Sequence, residues 1–182
     1  MKTIALHILD LLQNSITANS TLIRLDVVED LQKNLYEFTI SDNGKGMSRE
    51  FLAKVTDPYT TSRTTRKVGL GLPLIKMNAE QAGGSFLIES EVGKGTKTYF
   101  SFAHNNIDRP PLGDIAGSVV LCAAQNESIR WIYTHKTPFG EYIFDTDEIK
   151  EALDGMSMNN YKIMQYLEGM IKENLEEIQV SE

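Results

Sequence analysis

Hydrophobic and polar residues in the first part of the chain follow two rhythms, one typical of a helix and one typical of strands. Residues 3–18 carry apolar side chains at helical spacing, which predicts an amphipathic helix. The apolar residues on its face are Ile4, Ile8, Leu11, Leu12 and Ile16. The segments Leu22 to Val28 and Tyr36 to Ile40 alternate at every second residue instead. We therefore expect two strands that share one buried face.

The next segments predict a short helix, a loop, a longer helix and two more strands. Ser48 is a suitable N-cap for a helix that should extend to about Val55. Residues 57–69 have no periodicity and form a polar, basic loop, of a length at which loops are usually functional or disordered. A helix over residues 71–82 and strands over 85–91 and 96–102 follow. This order predicts an α+β fold, a two-layer α/β sandwich with helices on one face of a mixed, mostly antiparallel sheet.

Residues 105–182 have patterns of their own after the break at Pro110-Pro111, and we interpret them as a small α+β extension. Strands are predicted at 119–123, 129–134 and 142–144. A capping box that begins at Asp145 predicts a helix to about Leu153. A last helix over residues 159–178 has one apolar stripe, which either packs on its own domain or forms a partner or dimer surface. The stripe consists of Met164, Leu167, Ile171, Leu175 and Ile178.

Charge divides the chain at the same boundary. Residues 1–104 carry 12 basic and 11 acidic residues, whereas residues 105–182 carry 6 basic and 14 acidic ones. An extension of that acidity repels phosphate backbones, so a nucleic-acid partner is disfavoured. No apolar run approaches the roughly 18 residues that a membrane-spanning helix needs, and the N-terminus does not have the pattern of a signal peptide. We expect a cytoplasmic protein in which the one cysteine, Cys122, is a core residue.

Two polar residues interrupt the first predicted helix. Asp10 and Asn14 are four positions apart and so lie on one helical face, a turn from each other. A carboxylate that takes a proton from water, beside an amide oxygen that holds Mg²⁺, would explain the pair. The alternative is an ordinary solvated helix face.

A second group of polar residues and glycines follows the strand that ends near residue 40. Asp42, Gly44, Gly46 and Met47 belong to this segment, which is typical of a turn. Glycines two positions apart also let a backbone approach a planar base closely. An ionised carboxylate only accepts hydrogen bonds, so Asp42 suits the exocyclic amino group of adenine.

The third and fourth groups are rich in glycine. Gly69, Leu70, Gly71 and Leu72 lead from the loop into a helix, whose free amides and positive dipole form an anion site. Arg63, Arg66 and Lys67 add positive charge just upstream. The fourth group, residues 93–96, reads as a hairpin turn, from which the hydroxyl of Thr96 could alternatively meet the base.

Taken in this order, the four groups resemble the Bergerat-type (GHKL) ATPase family, which includes DNA gyrase, heat-shock ATPase chaperones, bacterial histidine kinases and MutL. The resemblance covers roughly residues 1–103 and implies a histidine-kinase-like ATP-binding domain over residues 1–104. It implies that Asn14 binds Mg²⁺, that Asp42, Gly44 and Gly46 hold adenine, and that Gly69 and Gly71 contact the phosphates. Residues 57–61 resemble the ATP lid of histidine kinases, whereas residues 14–18 and 22–25 are similar to MutL. The full set expected to bind Mg-ATP is Asn14, Asp42, Gly44, Gly46, Met47, Thr60, Thr61, Arg63, Lys67, Gly69, Leu70, Gly71, Leu72 and Thr96.

The sequence also departs from the family in ways that shape the functional hypothesis. The family's catalytic Glu is replaced by the shorter Asp10, and we expect no phosphoacceptor hairpin before residue 1. His7 lacks the flanking residues of a phosphoacceptor, and His104 and His135 are expected to be ordinary surface or loop histidines. The leading hypothesis is a stand-alone, Mg-ATP-binding regulatory module that phosphorylates a separate partner protein, as small anti-sigma-type kinases do.

Two alternatives stay open. One is a GHKL ATPase that dimerises as MutL and gyrase do, with Lys136 as the candidate for the lysine that reaches the γ-phosphate. The other is a non-catalytic ATP sensor.

Overall fold

The computed structural model describes residues 3–56 and 71–181, which are built around one six-stranded sheet. The strands are β1 Leu22–Asp30, β2 Leu35–Asp42, β3 Phe86–Glu91, β4 Gly95–Ala103, β5 Arg130–Thr137 and β6 Gly140–Asp145. They lie in the order β3-β4-β2-β1-β5-β6. Neighbouring strands are antiparallel except β1 and β5, which run parallel. The sheet is mixed and mostly antiparallel, which confirms the predicted fold class.

Helices form the second layer. They are α1 Ile4–Thr17, α2 Arg49–Leu52, α3 Gly71–Gln81, α4 Ile115–Gln125, α5 Thr146–Leu153 and α6 Tyr161–Glu177. The central helix α1 contacts α3 on one side and α4 on the other, and α4 in turn contacts α6. Among the described residues, no helix combines the length and the apolar character needed to cross a membrane.

The core lies between this helical layer and one face of the sheet. The alternating residues of β1 and β2 that the sequence places inward are all buried, namely Ile23, Leu25, Val27, Tyr36, Phe38 and Ile40. They pack with the apolar faces of α1 and α4 in one continuous cluster. The opposite face of the sheet carries mostly polar and charged side chains, such as Asp26, Lys97 and Lys136. Helices therefore cover one side only.

The helix α4 corrects one prediction, because residues 119–123 are not a strand. Asp114 caps the helix by accepting a hydrogen bond from the amide of Gly117 at 3.0 Å. Seven of the eleven residues are buried, since α4 packs between α1, α6 and β5. A short helix that is apolar nearly all round gives no 3.6-residue rhythm, and such a run cannot be told from a buried strand by periodicity.

The other elements of the extension are confirmed. β5 and β6 form where strands are predicted, and α5 begins after Asp145, whose carboxylate accepts a hydrogen bond from the amide of Asp147 at 3.0 Å. The apolar stripe of α6 packs within the chain, with Leu167, Ile171 and Leu175 buried. Ser48 caps α2 as expected, although α2 ends at Leu52, earlier than predicted.

The predicted boundary between residues 104 and 105 does not separate two sheets. β5 pairs with β1 in parallel from Leu22 with Arg130 to Val28 with Lys136. Buried residues of α4, β5 and α6 belong to the same core cluster as those of α1 and β2. The extension therefore completes the sheet that residues 1–104 begin.

Candidate functional site

The site is built around Asp42, the last residue of β2. The hydroxyl of Ser15 donates a hydrogen bond to Oδ2 of Asp42 at 2.6 Å, and the amide of Gly44 donates to Oδ1 at 2.9 Å. Ser15 is buried on α1, so the bond also fixes the end of the sheet against that helix. Each contact supplies a hydrogen-bond donor to one oxygen of the carboxyl group. Asp42 is thus a preoriented hydrogen-bond acceptor.

Two glycines let the backbone after Asp42 pass close to the β3–β4 hairpin. A Cβ on Gly46, whose φ is +64°, would lie 1.9 Å from the carbonyl oxygen of Glu91. A Cβ on Gly95, at φ +108°, would lie 1.9 Å from the carbonyl oxygen of Asp42. No side chain fits at such distances, and the positive φ values also favour glycine. Glycine at positions 46 and 95 therefore lets the segment after Asp42 pack directly against the turn between β3 and β4.

Ser90 on β3 connects the remaining polar residues of this end of the sheet. Its hydroxyl accepts a hydrogen bond from the amide of Met47 at 2.9 Å and lies 2.8 Å from Oγ1 of Thr96. The register of β2 and β4 sets Thr96 opposite Asp42. The predicted residues Met47 and Thr96 are thereby brought to the same place as Asp42 and Gly46. Ser90 was not predicted.

The other wall of the site is the outward face of α1. Asp10 and Asn14 are both exposed there, one turn apart. Gly71, the first residue of α3, approaches Asp10 so closely that a Cβ on it would lie 3.2 Å from Oδ2. Partial desolvation of its carboxyl raises the pKa of Asp10 above the ordinary value. A carboxylate of raised basicity therefore lies beside the N-terminal end of α3, which favours negative charge.

The structure brings the first, second and fourth groups together and adds the beginning of α3. Leu72 lies within α3 and packs partly buried against the core. The predicted residues Thr60, Thr61, Arg63, Lys67, Gly69 and Leu70 lie outside the described residues.

Sequence analysis missed Ser15 and Ser90. Ser15 directly follows Asn14, but its own pattern is that of an ordinary small residue on a helix. Its role depends on a partner that is 27 positions away. Ser90 lies in residues 89–95, which resemble histidine kinases, but that resemblance assigns no role to the serine itself.

The three histidines of the chain all lie in the described part, and two of them are fully buried. His7 on α1 and His135 on β5 are 1% and 0% exposed. His135 and the half-buried His104 each approach the carboxylate of Glu29 through Nε2, at 3.2 Å in both cases. The expectation that His135 is an ordinary surface or loop histidine is therefore wrong.

Lys136 follows the strand predicted over residues 129–134 and was therefore expected in a loop, but it lies on β5. It pairs with Val28, whereas Asp42 pairs with Ile23, five residues back along β1. At about 3.3 Å per residue these positions are roughly 16 Å apart. Its exposed side chain belongs to the face of the sheet opposite the helices, so Lys136 does not reach the site of its own chain.

The residues present suit a nucleotide with a weakly held divalent cation. Within residues 3–56 and 71–181, no group of three or more His, Cys, Asp or Glu side chains could bind a metal ion. Mg²⁺ in nucleotide sites is commonly held by one or two protein ligands together with substrate phosphates. The exposed amide of Asn14, on the same face as Asp10, is suited to that role.

Comparisons with known proteins agree with this geometry. Residues 2–106 match the profile of a family described as histidine kinase-, DNA gyrase B- and HSP90-like ATPases. A putative sensor protein of Shewanella frigidimarina is 34% identical over 98 residues, which are 53% of this chain and 15% of that protein. The sensor histidine kinase GraS of Staphylococcus epidermidis is 39% identical over 71 residues, 37% of this chain and 20% of that one. The chain thus spans a fifth or less of the length of these relatives.

Two solved structures share the fold. One is the N-terminal domain of a DNA repair protein, with a TM-score of 0.58 and 18% identity, covering 79% of this chain and 52% of that chain. The other is the MutL ATPase domain of Aquifex aeolicus in complex with ADP, with a TM-score of 0.52 and 16% identity. This second match covers 85% of this chain and 70% of that chain.

Proposed function

Because this chain belongs to the family of histidine kinase-, DNA gyrase B- and HSP90-like ATPases, we propose that it is an Mg-ATP-binding regulatory protein that phosphorylates a separate partner protein. The family match supports an ATP-binding domain related to histidine kinases and to the MutL ATPase. The proposal concerns what happens to the γ-phosphate.

The position of the histidines is the observation that supports transfer to a partner. All three histidines of the 182 residues are buried or half-buried, and each has a hydrogen-bond partner within the fold. A phosphoacceptor must be accessible to the γ-phosphate, and none of these rings is. Transfer to histidine therefore requires an acceptor outside these 182 residues, which is consistent with a separate partner protein. Several relatives have sensor kinase names, such as sporulation kinase D of Bacillus subtilis.

Each residue of the site has a role in this proposal. Asp42 accepts a hydrogen bond from the amino group of adenine, and its acceptor-only character discriminates against the guanine carbonyl. Asn14 would hold Mg²⁺, which would neutralise charge on the phosphates when bound. The amides at the beginning of α3, with Arg63 and Lys67 upstream, stabilise the remaining negative charge. Asp10 orients the attacking group, since phosphoryl transfer depends mainly on positioning and electrostatics.

One observation is equally compatible with a second candidate, an ATPase. Asp10 lies beside Gly71 with a carboxyl whose pKa is raised. A group of that kind can act as a general base towards water as well as towards a hydroxyl or imidazole. Both functions use the same pocket and differ only in the acceptor of the phosphoryl group.

A single experiment separates them. The protein is incubated with γ-labelled Mg-ATP, alone and with cell extract, while free phosphate and label on protein are followed together. Label on a partner that disappears with Asp10→Ala supports the kinase. Steady phosphate release that depends on protein concentration, and is lost in Asp10→Ala, replaces it with the ATPase. ATP binding without release or labelling in either condition contradicts both and leaves a sensor.

A further inference from the structure

A buried histidine joins the two helices that border the proposed phosphate site. The side chain of His7, on α1, lies 2.9 Å from the amide nitrogen of Asn78 on α3 through its Nε2 atom. His7 is 1% exposed, whereas Asn78 is half-buried. This contact is outside the pocket, because His7 precedes Asp10 by nearly one turn.

The contact between His7 and Asn78 lies about one turn along α1 and two turns along α3 from the place where these helices approach each other at the site. Asp10 of α1 approaches Gly71 at the beginning of α3, and His7 approaches Asn78 further along it. The two helices thus run in opposite directions: they approach each other closely at Asp10 and Gly71, and a hydrogen bond joins them at His7 and Asn78. Rotation or sliding of α3 against α1 would break the hydrogen bond between His7 and Asn78. The N-terminal end of α3 is therefore held by a bond two turns away from it.

Stability alone does not explain this pair. Nδ1 of His7 is buried and has no hydrogen-bond partner among the described residues. Burial also lowers the pKa of His7 to about 4, so the ring is neutral at pH 7. A buried polar atom without a partner is unfavourable relative to an apolar side chain of similar shape. An apolar residue would serve the core at least as well, but it would make no directional contact with α3.

We propose that His7 and Asn78 are positioning residues, which hold the N-terminal end of α3 at the distance from α1 at which the phosphates of a nucleoside polyphosphate bind between them. This inference rests on the proposed function, since it assumes that the phosphates lie at the beginning of α3. It predicts an effect on phosphate binding that is separable from an effect on adenine binding.

The test compares adenosine, Mg-ADP and Mg-ATP by calorimetry on the full chain. His7→Leu and Asn78→Ala should each weaken ADP and ATP binding by roughly fivefold or more, in line with coupling between contacting residues, and leave adenosine unchanged. Neither variant should lower the melting temperature by as much as a core truncation does. His7→Gln, whose side-chain oxygen can accept from Asn78, should recover much of the ADP and ATP affinity. Ile171→Val, a buried control on α6, should leave all three affinities unchanged.

Three results would overturn the inference. In one, adenosine and ATP lose affinity in the same proportion, which indicates a structural role only. In another, ATP affinity is unchanged in both variants. In the third, the double variant His7→Leu, Asn78→Ala loses as much binding free energy as the two single variants added together, so the two residues are not coupled. If wild-type protein binds neither adenosine nor ATP, the proposed function itself fails and the inference fails with it.

Discussion

Asp42 already has a donor on each of its carboxylate oxygens before a ligand binds. Ser15 and Gly44 supply these donors from α1 and from the turn after β2. A carboxylate held in this way loses little rotational freedom on binding. In the proposed function, the acceptor for the amino group of adenine is therefore held in place by its neighbours.

Replacing Asp42 by Asn should weaken ATP binding by about 1–3 kcal/mol, because an amide presents a donor where adenine also presents one. Isothermal titration measures the change. Asp30→Asn, at the other end of the sheet, is the control and should bind ATP as wild type does. Equal affinities for wild type and Asp42→Asn would refute the adenine role.

Asn14→Ala should abolish the dependence of ATP binding on Mg²⁺, because the side chain assigned to the cation is removed. Titrations with Mg²⁺ and with a chelator should then give the same affinity. The matched control is Gln13→Ala, which removes an exposed amide from the preceding position of α1. If the two titrations of Asn14→Ala differ as much as those of wild type, Asn14 does not hold the cation.

At the scale of single residues, the sequence predicts those site residues that belong to a local sequence motif. Asp42, Gly44 and Gly46 form a recognisable local pattern, and the structure brings them together with Thr96. Ser15 and His7 could not be predicted, because each acts through a partner on another element. His7 contacts Asn78, which is 71 residues away in the sequence, and no local sequence pattern predicts such a contact.

At the scale of elements, Glu29 connects β1 with three other segments. Its buried carboxylate approaches His135 on β5 and His104 after β4, and accepts from the amide of Ser181 at 3.0 Å. Burial alone would raise the pKa of Glu29, but these hydrogen bonds outweigh it and lower the pKa to about 2. The residues after α6 are thereby attached to the centre of the sheet.

Glu29→Gln should lower the free energy of unfolding by about 3 kcal/mol near neutral pH, and by less as the solution becomes acidic. The pKa of Glu29 is about 2 in the folded protein against an ordinary 4.5, so its contribution is complete above 4.5 and is lost as the pH falls towards 2. Urea unfolding at pH 6 and pH 3 measures this. Glu141→Gln, an exposed control on β6, should show no such change. If the difference in the free energy of unfolding between wild type and Glu29→Gln does not change between pH 6 and pH 3, the cluster around Glu29 is unimportant.

Elements with a clear rhythm could be predicted, whereas a fully buried helix could not. α1, β1 and β2 alternate between core and solvent, and the structure confirms each. α4 lies between two other helices and β5, so its polar positions are few and its helical period is hidden. The helical state of this segment depends on packing against α1 and α6, and these contacts form only when the whole helical layer is assembled.

For the whole molecule, the continuous sheet predicts joint unfolding of residues 1–104 and 105–182. Calorimetry of the full chain should show one transition, which Mg-ATP shifts upwards as a unit because the ligand binds only the folded state. A chain that ends at residue 106 should show no cooperative melting, since β1 loses its partner β5 and α1 loses its contact with α4. Two separate transitions in the full chain would contradict this.

The parallel pairing of β1 with β5 also orders events during synthesis. β1 is translated roughly a hundred residues before its partner β5. At a usual rate of about 5–20 residues per second, the nascent strand waits for about 5–20 seconds with one edge open. An open strand edge is a template for pairing with other chains. The nascent chain is thus most exposed to misassociation while the segments that match the ATPase family are already outside and the residues that close the sheet are not.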